Sequence, residues 1–440
     1  MRTRVIDIVD MKKVTILFLS ALLLTMSVGI QEVQTKPNGK LTVRFEATGR
    51  YDIVAGGVGL HDDESGDILL NVPGNVIQAY LYWAGYDDTS PYIDDAVTFT
   101  VGVSTTPLTA DWVYGPDLWF DDYYQTVYVE DVTSLILTGK HTYSISDFDL
   151  AHDYGAGLIV VYEDQSLPYS IVKIYDGLDS FHYAFSDPQG PNSEVTCADF
   201  NAVPYDRAME ITLFVGGVQH DDRPNAIWYQ TGTDSKPSNL VGEASAKEID
   251  GEEHPYPLGS YDGYEWDTFS FAISVPAGSE WTCVQIESVP KPGSGPPYNY
   301  GKGCSALFIA SGFVLKLPPG TGTPGYWKNH PDAWPVDEIT IGGVTYTKDE
   351  AINFMKTPGK GDKTYTMFGA LVAAKLNVLI GNPSGCIDET ITAADAWMAE
   401  YGPVGSGVKA KSEAWQMEGE SLYEKLDDYN NGLLCAPSRD

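Results

Sequence analysis

The sequence predicts a mainly β protein: two β-sandwich or jelly-roll-like lobes followed by a small all-α C-terminal domain. Three observations carry that reading. Short runs rich in β-branched and aromatic residues recur from about residue 40 to residue 317, separated by Gly, Pro, Asp and Asn clusters, which is the pattern of strands and turns. Ten or more such runs are too many for one ordinary sandwich and suit two. A run of Pro, Gly and Thr from Leu317 to Gly325 then ends the β pattern, and the remainder shows helical spacing and capping signals.

Along the chain, Lys12 and Lys13 precede an apolar stretch from Val14 to Met26, with the small residues Ser27 and Gly29 at the −3 and −1 positions of a cleavage site. Residues 1–29 therefore read as a signal peptide. Other apolar runs are too short for a bilayer, so the expected product is secreted, extracellular or held at the cell surface, with no membrane span after signal cleavage.

The first lobe is expected over 40–165, with strands at Gln78–Trp83, Val97–Val103, Thr126–Val129, His141–Ser146 and Leu158–Tyr162. The second is expected over 166–317, with strands at Ile171–Tyr175, Ile211–Val215, Thr268–Val275, Trp281–Glu287 and Ala306–Leu317. A faint internal echo fits two lobes: Gly56-Gly57-Val58-Gly59-Leu60-His61-Asp62-Asp63 returns, one residue shorter, as Gly216-Gly217-Val218-Gln219-His220-Asp221-Asp222.

Residues 318–325 read as a linker, and 326–440 as the helical domain. Thr347 and Glu350 form a capping box opening a helix that Pro358-Gly359 stops. Phe368, Leu371, Ala374 and Val378 line one face of a second helix. A second capping box is read at Thr392–Asp395, and a fourth helix over Ser412–Tyr429.

Charge narrows the function classes. The chain has 61 Asp and Glu against 27 Lys and Arg, a formal net charge of −34. Nucleic-acid partners need a basic stripe that this chain lacks. Five of six Asp-Asp pairs lie in the β region, and residues 51–139 contain no Lys or Arg. Two readings of the pairs stand side by side. One is a solvated acidic surface suited to high salt. The other is loop carboxylates that hold Ca²⁺, which takes six to eight oxygen ligands, with Asp62, Asp63, Asp87, Asp88, Asp121 and Asp122 as candidate ligands.

Aromatics crowd the same loops. Trp112, Trp119, Tyr123 and Tyr124 are candidate contact residues for a carbohydrate or a cell-envelope component, since flat ring faces stack on sugars while their polar tips stay wet. Paired carboxylates beside aromatics also describe glycan hydrolases, so a secreted hydrolase acting on glycans or glycoproteins is the first alternative. A structural envelope component is the second. The motifs HExxH, GxSxG and GxxxxGK[ST] do not occur, and the seven His are scattered, so a binding role is preferred to an enzymatic one and a zinc site has little sequence support.

Five cysteines fit export. The helical domain holds only Cys386 and Cys435, which are expected to pair. The pairing of Cys197, Cys283 and Cys304 is left open.

Two stretches carry resemblances. Ala79-Tyr80-Leu81-Tyr82-Trp83-Ala84-Gly85-Tyr86, Gly155–Asp164 and Ile174-Tyr175-Asp176-Gly177-Leu178-Asp179 resemble an uncharacterised domain of archaeal surface and secreted proteins. That likeness spans about 42–317 and brings no activity with it. Thr323-Pro324-Gly325-Tyr326-Trp327-Lys328-Asn329-His330-Pro331, through to Asp428-Tyr429-Asn430-Asn431-Gly432, is similar to a helical module found at the C-termini of exported bacterial and archaeal proteins. It implies export and modular construction. The expectation is an exported binding or adhesion-type protein with an accessory or attachment module.

Overall fold

Twenty strands and five α-helices are found in the computed structural model, which describes residues 39–439 apart from 62, 89–94, 121, 149, 184, 186–188, 219–223, 250–255 and 290–304. The expected signal segment, the candidate ligands Asp62 and Asp121, and Cys304 lie outside the described residues.

In chain order the first strands are β1 (Thr42–Gly49), β2 (Tyr51–Gly59), β3 (Ser65–Val72), β4 (Asn75–Asp87), β5 (Ala96–Val101) and β6 (Ser104–Thr109). They are followed by β7 (Trp112–Phe120), β8 (Tyr123–Asp131), β9 (Gly139–Ser146), β10 (His152–Glu163), β11 (Ser170–His182) and β12 (Thr196–Asp199). Then come β13 (Arg207–Val218), β14 (Asn225–Gly232), β15 (Lys247–Ile249), β16 (Glu265–Val275), β17 (Trp281–Ser288) and β18 (Ser305–Lys316).

These strands form four antiparallel sheets: I (β3-β9-β5-β6), II (β2-β10-β4-β8-β7), III (β1-β11-β18-β13-β16) and IV (β12-β17-β14-β15). Their side chains show how the sheets stack. From β4, Leu81 and Trp83 join the core against sheet I, whereas Tyr80, Tyr82 and Ala84 join a second core shared with sheet III. Likewise β18 sends Phe308, Phe313 and Leu315 toward sheet IV, and Leu307, Ile309 and Val314 toward sheet II. Two sandwiches thus lie back to back, with sheets II and III inside. Strands buried on both faces lose polar alternation, which explains the unbroken apolar runs in β4, β10 and β18. Each fully buried large side chain contributes about 1.5–3 kcal/mol.

The lobes interlock at β1. A division at 165/166 places this strand in the first lobe, but it pairs with β11 in sheet III. Its Arg44 donates to Asp176 at 2.6 Å, while Tyr114 of sheet II donates to the same carboxylate at 2.6 Å. Trp112 covers the guanidinium at 4.0 Å. Sequence order misses this exchange because the pairing partner lies far downstream.

Cys197 and Cys283 face each other on β12 and β17 and form a disulfide. A second bridge joins Cys386 to Cys435. On a chain-entropy account, loops of this size are each stabilised by roughly 4 kcal/mol.

The C-terminal module contains α1 (Pro324–Asn329), α2 (Lys348–Lys356), α3 (Lys363–Leu379), α4 (Asp388–Tyr401) and α5 (Glu420–Asn430), the last preceded by a π-helical turn at Ala414–Gly419. It is not all helix, because β19 (Glu338–Ile341) and β20 (Val344–Thr347) form a hairpin. Gly342 and Gly343 both take positive φ there, as a two-residue hairpin turn requires. Thr347 and Glu350 make the expected capping box on α2. Thr392, expected to cap a helix, sits inside α4 and bonds back to the carbonyl of Asp388 at 2.9 Å, an alternative open to Thr within helices.

Buried Asn377 ties the module together. Its Oδ1 accepts from Gly322 N at 2.7 Å and Trp327 Nε1 at 3.0 Å, and its Nδ2 donates to Asn430 Oδ1 at 2.8 Å. The stretch read as a linker is pinned as well: Thr321 N donates to Pro437 O at 2.8 Å, and Arg439 N to Thr321 O at 3.1 Å. Among the described residues, no helix is long and apolar enough to cross a membrane.

Candidate functional site

Three strand ends of the two inner sheets meet at one edge of the stack. The turn after β2 carries His61, β10 opens with His152, and β16 opens with Glu265. His152 Nε2 lies 2.5 Å from Glu265 Oε2, and His61 Nδ1 lies 3.5 Å from the same oxygen. Glu265 is buried, His152 is partly covered and His61 is exposed. The cluster lines a recess of about 240 Å³ together with Tyr86, Trp119, Tyr154, Gly217 and Tyr264.

Local backbone sets this geometry. Glu265 has φ 73° and His61 has φ 40°, a left-handed region that costs a non-glycine residue about 1–3 kcal/mol and that concentrates at functional sites. The loop before Glu265 is held by the buried carboxylate of Asp267, which accepts backbone N–H groups from Gly259, Ser260 and Tyr261 at 2.8–3.0 Å. Burial outweighs those bonds and pushes the Asp267 pKa up to about 7. Ser260 Oγ accepts from Glu265 N at 3.0 Å. Register shifts near Gly217 in β13 and between Asp153 and Gly155 in β10 re-aim the strands here, a usual role of bulges.

The glycine echo has a structural basis. A Cβ on Gly57 would lie 2.2 Å from Nε1 of Trp266, and one on Gly217, which has φ 66°, would lie 3.1 Å from the ring of Tyr154. Gly57 and Gly217 thus each admit an aromatic side chain from the other sandwich, in reciprocal fashion. His220, Asp221 and Asp222 of the second copy lie outside the described residues.

Aromatic rings line the recess. Tyr86 stacks on His152 with centroids 4.7 Å apart, and lies 5.6 Å from Trp119 and 5.0 Å from Tyr123. Tyr154 accepts a 2.7 Å bond from Gln125 at its hydroxyl, and burial holds its pKa well above the ordinary tyrosine value.

Of the residues singled out from sequence, Trp119 and Tyr123 therefore come together around Tyr86. Trp112 lies instead on Arg44, and Tyr124 pairs in register with Asp87 on β4. Asp63, Asp88 and Asp122 are exposed, and Asp87 is buried at the end of β4. Among the described residues the cluster with metal-ligating geometry is His61, His152 and Glu265, which the sequence reading did not select. A signal existed in His61, which lies inside the glycine echo and recurs there as His220.

No family model matches the chain, and no curated protein does. Among solved structures it is similar to a peptide-N(4)-(N-acetyl-β-D-glucosaminyl) asparagine amidase, with 11% identity over 60% of this chain and 96% of that one and a TM-score of 0.17. The ANX2 ectodomain from Arabidopsis thaliana matches with 9% identity over 63% of this chain and 89% of that one, TM-score 0.18. A chain of Sulfolobus turreted icosahedral virus matches with 8% identity over 78% and 99%, TM-score 0.16. TM-scores this low carry no functional argument.

Proposed function

We propose that this is an exported cell-surface or extracellular binding protein whose ligand, a carbohydrate or another cell-envelope component, seats in the recess between the two sandwiches. The observation that carries the reading is the grouping of Trp119 and His152 around Tyr86 in the recess, with Tyr123 against the same Tyr86 ring. Ring faces beside polar groups suit sugars. Two disulfides fit an oxidising compartment. Ca²⁺ held by the acidic loops belongs to the same proposal, as does an attachment role for the helical module. The test is retention on insoluble envelope polysaccharide: the parent chain should be retained and Trp119→Ala should be retained at least several-fold less. Equal retention of both would remove the recess from the reading.

A second reading rests on one specific contact. Glu265, buried beside His152 in the recess, would serve as the acid or base of a glycan- or glycoprotein-acting hydrolase. Release of reducing sugar or free glycan, abolished in Glu265→Gln, would favour it over simple binding. The acidic surface also suits a structural envelope component. That role predicts concentration-dependent self-assembly with neither retention nor hydrolysis.

A further inference from the structure

We propose that His61, His152 and Glu265 form a binding site for one divalent transition ion of the zinc type. Their ligand atoms all lie within 4.8 Å of one another. Bonds of about 2.0–2.2 Å from nitrogen and carboxylate oxygen to zinc set neighbouring donors roughly 3.3 Å apart. His61 Nδ1 and Glu265 Oε2 already stand 3.5 Å apart. His152 Nε2 and Glu265 Oε2 lie 2.5 Å apart. An ion held between them would need the pair to open by less than about 1 Å.

Three further observations favour a ligand set over an ordinary ion pair. Glu265 is 3% exposed, yet the ion-pair partners of its carboxylate among the described residues are the two imidazoles, with no Lys or Arg. Two of the three positions hold left-handed backbone, a cost that a fold without a use for the geometry would shed. The third is openness: His61 faces solvent beside the recess, so three protein donors leave a coordination position for water or a ligand, as in catalytic rather than structural zinc sites. Two nitrogens and one carboxylate are a borderline donor set that suits Zn²⁺ or Co²⁺ and does not meet the oxygen-rich demand of Ca²⁺. The inference stands apart from the glycan reading, because it is read on the protein alone with no sugar present.

The experiment is a titration of the EDTA-treated full chain with Zn²⁺ by calorimetry, and with Co²⁺ by its visible spectrum. The expected result is one equivalent bound, retained in a large excess of Ca²⁺. Affinity should fall by more than about 100-fold in His152→Ala and Glu265→Gln, beyond the loss that outer-shell changes cause. His61→Asn keeps the test decisive if the buried substitutions unfold the chain, since Asn tolerates the left-handed backbone of this exposed turn. It should unfold at the parent temperature in EDTA and lose the Zn²⁺-dependent rise in midpoint. Absence of stoichiometric binding, displacement by Ca²⁺, or unchanged affinity in His61→Asn would each overturn the proposal.

Discussion

His152 and Glu265 are 113 residues apart and belong to different sandwiches, yet Nε2 of one and Oε2 of the other lie 2.5 Å apart. The contact latches sheet II to sheet III at one edge, beside a recess that needs both. Hydrogen bonds to charged groups contribute about 1.5–3 kcal/mol. A double-mutant cycle with His152→Ala and Glu265→Gln, followed by denaturant unfolding in EDTA, should show coupling of about that size. Strictly additive losses would mean that the two residues act separately.

Stability should fall as pH rises from acid to mildly alkaline. Asp179, buried on β11 and accepting the N–H of Glu194 at 2.7 Å, has its pKa pushed up to about 8 by burial. An unfolded aspartate titrates near 3.9. Between those values the folded chain holds a proton that the unfolded chain has released, so stability present below about pH 4 is lost progressively up to about pH 8. The expected slope is about 1.4 kcal/mol per pH unit per proton. Asp179→Asn keeps the acceptor and removes the titration. Thermal midpoints at pH 5 and pH 8 should therefore differ less in the variant than in the parent. An unaltered difference would refute this assignment.

Asn377→Ala should destabilise the helical module by about 3 kcal/mol. The substitution strands Gly322 N, Trp327 Nε1 and Oδ1 of Asn430, and buried polar groups left unsatisfied cost about 1–3 kcal/mol each before relaxation. Indole fluorescence of Trp327, Trp334, Trp397 and Trp415, all in this module, should report the loss, and a change below about 1 kcal/mol would mean that water replaces the amide.

The acidic loops make a separate prediction. At constant high ionic strength, a Ca²⁺-selective and saturating rise in the unfolding midpoint, absent with matched Mg²⁺, is the outcome for specific loop sites. A response to ionic strength alone would assign the carboxylates to a salt-adapted surface and end the role proposed for Asp87 and Asp88.

Much of the fold was legible because local chemistry dictates it. Gln78–Trp83 and Leu158–Tyr162 fall inside β4 and β10, whose apolar runs are unmistakable. β2 was missed because Gly56, Gly57 and Gly59 lower its strand signal, although Gly57 and Gly59 serve the contact between the sandwiches. β7 was hidden by Gly115-Pro116 in its middle. The β19–β20 hairpin was overlooked even though its Gly-Gly turn is a direct sequence cue. The site was legible only in its aromatic half. Trp119 and Tyr123 announce themselves by type and crowding, whereas His61, His152 and Glu265 become neighbours only when two sandwiches are stacked in the correct register. No local spacing encodes that.

The backbone bridge between Thr321 and Ser438 has a mechanical consequence. Because the chain enters and leaves the helical module side by side, tension applied between β18 and the residues after Ser438 loads this bridge first, in shear. The helices between, closed also by Cys386–Cys435, stay outside the loaded path until the bridge parts. A protein anchored through its last residues would then transmit force from surface to sandwiches without extending its helical module, which would act as a sacrificial length of chain released only under overload.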